Sequence, residues 1–397
     1  MRYSKRNIIL SILILLIIGF IFRKFLSHRN IQHKKQETQR YQFQKPPALL
    51  ESDKNRVNFM TEKAKEWIKS HFSSSAFAGG YLISWKGHTL LEGYQGETGK
   101  SDHKTINEQT PIHIASISKT FTAMAILKLV SEKKVIIDSP VNTYLSAFNY
   151  PGITVKMLMN HRSGLPKYEH FMEKLGWSQN VFASNNDVLK WLTEKKSEIE
   201  DIQKPDTHFK YCNTNFVLLA LIIEKVTGKP YPTYMQKEIF TPMGMNNTFV
   251  YSDKDSSRIT PSFEWSGGKF AFNHLDKIYG DKNIFSTPRD LLVWDEGLKR
   301  SNFLDPSMLE MAYMPYSNEK AGSRNYGLGW RMIINPDGEK LIYHNGWWHG
   351  NNTVFLRLLN QDATVIVLGN QYNRGIYKAK EILSIFDPRF SSEKTDE

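Results

Sequence analysis

The sequence predicts an α/β (α+β) fold, in which an antiparallel β-sheet flanked by helices is built from the N- and C-terminal segments of the chain. A mostly helical inserted domain and an N-terminal transmembrane helix complete the expectation. Three observations carry it. β-rich runs lie near residue 80 and again between residues 340 and 368, helical periodicity fills the interval, and an unbroken apolar run occupies residues 8 to 22. With 397 residues, 40% of them hydrophobic and 23% charged, the chain can bury a core and lies outside disordered, collagen-like and coiled-coil compositions.

The first element is the run Ile8 to Phe22, preceded by Arg2, Lys5 and Arg6 and followed by Arg23 and Lys24. At 1.5 Å per residue it reaches about 22 Å, or about 28 Å out to Leu26, against a hydrocarbon core of about 30 Å. No small-x-small cleavage site follows, so residues 1–26 read as an uncleaved single-pass membrane anchor. Arg23, Lys24, Arg29, Lys34 and Lys35 outnumber the basic residues ahead of the run, and the charge rule alone would keep the main domain in the cytoplasm. Residues 27–56, rich in Gln, Lys, Arg and His, read as a polar tether. Of the formal net charge of +12, residues 1–60 hold +9, from 12 Lys and Arg against 3 Asp and Glu. The basic excess therefore belongs to the arm, and a nucleic-acid partner is not expected of the domain.

The main domain is expected over residues 57–388, with its helical insertion at about 125–285 and a polar tail at 389–397. Gly80 to Tyr94 carries two β-rich runs around Lys86-Gly87 and predicts a hairpin. Ser116 to Lys133 has Ile117, Phe121, Met124, Ile126, Leu127 and Val130 at helical spacing, and Asn213 to Val226 predicts a second helix that Thr227-Gly228 ends. Strands are expected at Lys340–His344, Thr353–Leu359 and Thr364–Leu368. Cys212 is the single cysteine, so no intrachain disulfide exists, and no Cys/His run has metal-ligand spacing.

Three short strings can carry chemistry. Ser116-Ile-Ser-Lys119 is one of six Ser-x-x-Lys strings, the others starting at Ser101, Ser131, Ser266, Ser317 and Ser391. Only this copy opens an amphipathic helix directly after an extended segment, Pro111 to Ala115. Three residues apart on a helix, the Lys119 amine reaches the Ser116 hydroxyl, which places a base beside a poor nucleophile. The Ser116 backbone N–H at the helix start is a candidate oxyanion donor. Tyr211-Cys-Asn213 precedes the second helix; its phenol can shuttle a proton, and its amide can hold a substrate amide. His344-Asn345-Gly346 ends a late strand, where the glycine would let substrate backbone lie against the strand edge and the Trp347 N–H could supply the second oxyanion donor. In isolation each string also fits a structural role: an N-capping serine with a solvated lysine, a half-buried tyrosine, a structural histidine.

In this order and at these element ends, the three strings resemble the serine β-lactamase and penicillin-binding-protein superfamily, in its class C-like branch. The resemblance spans roughly residues 66 to 388. Leu158-Met-Asn-His-Arg-Ser-Gly-Leu-Pro166, Tyr279-Gly-Asp-Lys-Asn-Ile-Phe-Ser-Thr-Pro-Arg-Asp-Leu291 and Tyr326-Gly-Leu-Gly-Trp330 are similar to further segments of that family. The resemblance implies that Ser116 is the acylated nucleophile, that Lys119 and Tyr211 share proton transfer, that Asn213 contacts substrate, and that His344 to Gly346 stands where many relatives read Lys-Thr-Gly. A histidine of ordinary pKa near 6.5 is only about a quarter protonated at pH 7, which weakens its hold on a substrate carboxylate.

The resulting expectation is a membrane-anchored serine hydrolase acting on a small-molecule or peptide amide or ester, as a peptidase, esterase or weak β-lactamase, with no cofactor or metal. The relatives' location places its domain on the periplasmic or extracellular side of the inner membrane, against the charge rule. Two alternatives remain open at this point: a catalytically silent penicillin- or peptidoglycan-peptide-binding protein or sensor of the same fold, and a scaffold whose basic arm binds anionic lipid.

Overall fold

The computed structural model describes residues 23–24, 40–73, 77–99, 104–319 and 322–390, and the fold is that of the unit beginning at Tyr41. The expected anchor Ile8–Phe22, most of the tether and the tail after Phe390 lie outside the described residues. No helix among the described residues is long and apolar enough to cross a membrane.

A seven-stranded antiparallel sheet has the order β2-β1-β10-β9-β8-β7-β6. Its strands are β1 (Gly79–Trp85), β2 (His88–Gln95), β6 (Arg324–Tyr326), β7 (Arg331–Ile334), β8 (Lys340–Trp348), β9 (Asn351–Leu358) and β10 (Ala363–Gly369). The expected hairpin is present, and Lys86 (φ 52°) and Gly87 (φ 75°) take the two positive φ angles that a tight two-residue turn requires. β1 then pairs with β10, from Gly79 opposite Gly369 to Trp85 opposite Ala363, so the first and last strands of the chain lie side by side. A small sheet, β3 (Ile112–His113), β5 (Ile284–Ser286) and β4 (Phe249–Val250) in that spatial order, ends its first strand three residues before Ser116.

Both faces of the large sheet are covered. Along β10, Ala363, Val365 and Val367 face one core while Ile366 and Leu368 face the other, the period-2 alternation of a strand buried on both sides. On one side α1 (Lys54–Phe72) lays down Met60, Ala64, Ile68 and Phe72, one stripe at four-residue spacing, beside Ile376, Ala379, Ile382 and Leu383 of the terminal 3₁₀ segment Arg374–Ile385. On the other lie α2 (Ser118–Ser131), α3 (Val155–Met159), α4 (Tyr168–Lys174), α5 (Asn185–Glu194), α6 (Asn213–Thr227) and α7 (Pro288–Arg300). α2 and α6 are buried almost all round, and Gly228 ends α6 in the left-handed region (φ 65°), the stop that Thr227-Gly228 announced.

Three boundaries differ from expectation. Residues 41–44, expected in a solvated tether, dock on the body: Tyr41 donates its hydroxyl to Glu238 O at 2.7 Å and packs edge-on to Phe303, and Gln44 N–H donates to Arg300 O at 2.7 Å. The helix expected from Ser116 begins as a 3₁₀ turn, Ala115–Ile117, because Ala115 holds φ at 49°, and becomes α-helical only at Ser118. β8 continues through Trp348 instead of stopping at His344, since Asn345 to Trp348 stay paired with Val354 to Asn351 of β9.

Candidate active site

The turn that presents Ser116 is gripped from two directions. His113, at the end of β3, accepts the Ala115 N–H on Nδ1 at 3.1 Å, which leaves its proton on Nε2 for Asn283 Oδ1 at 3.0 Å. From the other side Thr353 of β9 donates its hydroxyl to Ile114 O at 3.0 Å. A left-handed alanine is costly, and these bonds hold it at the residue that turns the Ser116 side chain toward a cavity. Burial lowers the His113 pKa to about 4, so the ring stays neutral and keeps its acceptor.

Lys119 lies in the first turn of α2 with no exposed surface. Its Nζ donates to Ser116 Oγ at 3.0 Å and to Asp281 O at 2.8 Å, so the serine–lysine contact required by the sequence spacing is present. Tyr211 is held in the extended stretch before α6, with its ring centroid 5.1 Å from Lys119 Nζ, 5.0 Å from the Arg331 guanidinium carbon and 4.3 Å from the His161 ring. Asn213 opens α6; its Nδ2 donates to Glu169 Oε1 of α4 and its Oδ1 has no hydrogen-bond partner. Cys212 between them is buried, accepted at its N–H by His161 Nδ1 at 3.2 Å.

His344 is placed differently from expectation. Its side chain is wholly buried and does not line the cavity, so it is not positioned to hold a substrate carboxylate. Nδ1 lies 2.7 Å from Asn345 O, which can only accept, so the ring proton sits there; Nε2 accepts from the Tyr326 hydroxyl at 3.2 Å. Burial lowers the His344 pKa well below its ordinary value, helped by the nearby charges of Arg331 and Lys119, and the ring is neutral. Burial and Lys119 do the same to His161. The role foreseen for Gly346 also changes. A Cβ there would lie 2.4 Å from Ile114 O and 2.3 Å from Thr353 Oγ1, so the glycine lets β8 press against the turn that carries Ser116.

Ser116, Tyr211, Asn213, Asn345, Gly346 and Trp347 all line one cavity of about 550 Å³, with Lys119 bonded to the serine beneath it. β7 pairs with β8 only from Lys340 to Tyr343; beyond that point no strand among the described residues continues on that side of β8, and Asn345 to Trp347 border the cavity. Trp347 is 64% exposed. The arrangement joins a partly exposed hydroxyl, a buried amine, a phenol and a strand bordering the cavity, though the Asn345 and Gly346 carbonyls of that strand already accept from His344 and Tyr377. Among the described residues no group of three or more His, Cys, Asp or Glu is placed to hold a metal ion.

Sequence reasoning missed several neighbours. Glu169, Asp281, Arg331 and Tyr326 come from four different segments, and Arg324 and Arg374 add two further guanidinium groups to the cavity wall. Tyr326 and Asp281 lie inside two of the strings quoted above and Arg331 directly follows one of them, but no string gave these residues a role; Glu169 had no local signal.

Comparison with known proteins agrees with this geometry. The profile of a family described as Beta-lactamase matches residues 64–385. Penicillin-binding protein 4* of Bacillus subtilis (strain 168) is 28% identical over 337 residues, 79% of this chain and 73% of its own length. The D-aminopeptidase of Brucella canis is 24% identical over 299 residues, 74% of this chain and 56% of the Brucella protein. The octameric penicillin-binding protein homologue from Pyrococcus abyssi shares the fold, with a TM-score of 0.70 at 24% identity over 82% of this chain and 76% of its own.

Proposed function

This chain belongs to the Beta-lactamase family of serine hydrolases, as its ordered motifs implied, and from that premise we propose that it forms an acyl-enzyme on Ser116 and hydrolyses a small amide or ester. The observation that carries the proposal is the 3.0 Å contact between Lys119 Nζ and Ser116 Oγ at the floor of the cavity that Tyr211 also lines.

Ser116 Oγ attacks the substrate carbonyl carbon, and its proton passes to the Lys119–Tyr211 pair as the new O–C bond forms. The carbonyl oxygen becomes an oxyanion, for which the Ser116 and Trp347 N–H groups are the donors we assign. When the carbonyl re-forms, the C–N or C–O bond breaks and the pair returns the proton to the departing amine or alcohol. Water then attacks the acyl-enzyme, gives its proton along the same route, and releases the acid and free Ser116. Asn213, with Nδ2 committed to Glu169, offers Oδ1 to a substrate N–H.

The substrate class follows from the relatives. One relative is named a D-aminopeptidase and others penicillin-binding proteins, which supports D-amino-acid amides and peptides ahead of neutral lipid esters. We further assign Ile8–Phe22 as the membrane anchor, with the domain on the periplasmic or extracellular side; the length and apolarity of that run and the naming of relatives as penicillin-binding proteins support this.

A serine-reactive fluorophosphonate should label the wild type and spare Ser116→Ala, and a panel of short esters, D-amino-acid peptides and a chromogenic cephalosporin should show turnover that the same variant loses. Equal labelling of both proteins would end the proposal; no labelling of either would favour a silent binder. A reporter fused after Glu397 that is active only in the cytoplasm would reverse the orientation.

A further inference from the structure

Tyr211 is met by five titratable or charged side chains, one from each element packed on it: Lys119 from α2, His161 from the loop after α3, Tyr326 from β6, Arg331 from β7 and His344 from β8. Two of the five are histidines held neutral, and Tyr326 is a phenol whose burial keeps it protonated. Both ring nitrogens of His344 are already spent, on Asn345 O and the Tyr326 hydroxyl. The strand position where relatives of this kind often carry a lysine therefore brings no charge to the site.

Arg331 does bring one. Its guanidinium carbon is 5.0 Å from the Tyr211 ring centroid, almost the same distance as Lys119 Nζ at 5.1 Å. Its polar surroundings are the phenols of Tyr211, Tyr343 and Tyr326, and among the described residues no carboxylate forms an ion pair with it. Its Nε is buried without a hydrogen-bond partner. A guanidinium cannot shed its proton, so Arg331, hydrogen-bonded to Tyr343 and lining the cavity, keeps a full positive charge beside Tyr211.

We propose that Arg331, reaching across from β7, supplies the second positive charge that stabilises the anionic form of Tyr211 during proton transfer, the task His344 is not placed to perform. Arg331 is a positioning residue in this sense: it acts on the phenol and not on the reacting carbonyl. A unit charge about 5 Å from the centre of the ring that shares the phenolate charge, at an effective dielectric near 20, favours the anion by on the order of 10²-fold at most. The inference rests on the acyl-enzyme reading of Ser116 above.

The test compares Arg331→Met, Arg331→Gln and Arg331→Lys with wild type, using p-nitrophenyl acetate, which carries no carboxylate, and an ester of the same leaving group that does. For both esters the neutral variants should lose about 100-fold in kcat/KM at pH 7, mainly through kcat. The acid limb of their pH profile should move up by a pH unit or more, because the charge that assists proton transfer is gone. Arg331→Lys should recover most of the loss. An unmoved acid limb overturns the proposal, as does a loss confined to KM for the carboxylate-bearing ester, which would make Arg331 a substrate anchor. If Met and Gln variants both fail to fold by thermal melting, the proposal also falls, since the fold and not Tyr211 then requires the charge. Fluorophosphonate labelling separates this from the parent reading: an unlabelled wild type ends the acyl-enzyme proposal, whereas a labelled wild type with unmoved profiles ends only the role of Arg331.

Discussion

Gly346 of β8 lies against Ile114 so closely that an added Cβ would sit 2.4 Å from the Ile114 carbonyl oxygen. The same strand that borders the cavity is thus pressed onto the turn that presents Ser116. Gly346→Ala must separate the two, at an overpacking cost of about 1–3 kcal/mol. If most of that strain falls on the turn, acylation by a fluorophosphonate slows by roughly 10- to 100-fold. A variant that labels at the wild-type rate would show that the contact does not set the serine's position.

Lys119 touches only Ser116 Oγ and Asp281 O by hydrogen bonds, and neither partner is a carboxylate. Lys119→Ala should therefore lower acylation by on the order of 10²-fold or more, the usual loss for a proton-transfer group. The rate of labelling by a fluorophosphonate measures it directly. Unchanged labelling would remove Lys119 from proton transfer and leave the work to Tyr211.

The sheet and the serine–lysine pair were legible in sequence because both are local: alternation announces a strand, and a three-residue spacing announces a shared helix face. Residues 80–94 and 353–368 show the first, Ser116 and Lys119 the second. The environment of His344 was not legible, because its neutrality depends on burial first and then on the charges of Arg331 and Lys119, all of which exist only in the folded chain. The left-handed turn at Ala115 was hidden for a similar reason: nothing about alanine predicts φ 49°, and the bonds from His113 and Thr353 that enforce it come from β3 and β9.

Cys212 sits inside the Tyr211–Asn213 string but belongs to the core. Burial pushes its thiol up to about 11, and Sγ lies 3.3 Å from Pro166 O. A thiolate is the reactive form, so the folded protein should resist a disulfide reagent such as Ellman's and react fully only after denaturation. Cys212→Ser should keep activity within about tenfold, with the added cost confined to stability. Rapid modification of the native protein, with loss of activity, would contradict this placement.

Acid should weaken the fold in a window set by three buried histidines. Burial lowers the pKa of His113 to about 4 and those of His161 and His344 well below the ordinary value. In each case the unfolded state takes up a proton near pH 6.5 that the folded state refuses, so stability is full above that pH and declines as pH falls below it. Each group adds up to about 1.4 kcal/mol per pH unit to the slope. Urea unfolding at pH 8, 6.5 and 5 measures the decline, and His344→Gln should remove about one proton's share of it. A slope the variant leaves intact would mean that His344 charges freely in the native state.

A second acid window is expected from Asp295, lower than the first. This carboxylate on α7 has no exposed surface; it meets Arg357 Nε of β9 at 2.6 Å and Lys299 Nζ at 2.7 Å, and Thr364 of β10 donates to it as well. Burial alone would raise its pKa, but Lys299 and Arg357 outweigh burial and hold it down to about 2. The unfolded carboxyl titrates near 3.9, so this contribution is present above that pH and disappears as pH falls from there toward 2, a separate step beneath the histidine decline. The charge pins α7 to β9 and β10. Asp295→Asn leaves Arg357 buried without its counter-ion, which costs about 3–5 kcal/mol, whereas replacing both partners by apolar residues of similar volume should cost far less. Urea midpoints of the single and double variants decide the matter: a single variant within about 1 kcal/mol of wild type would show that the pair is solvated in solution and does not hold the helix to the sheet.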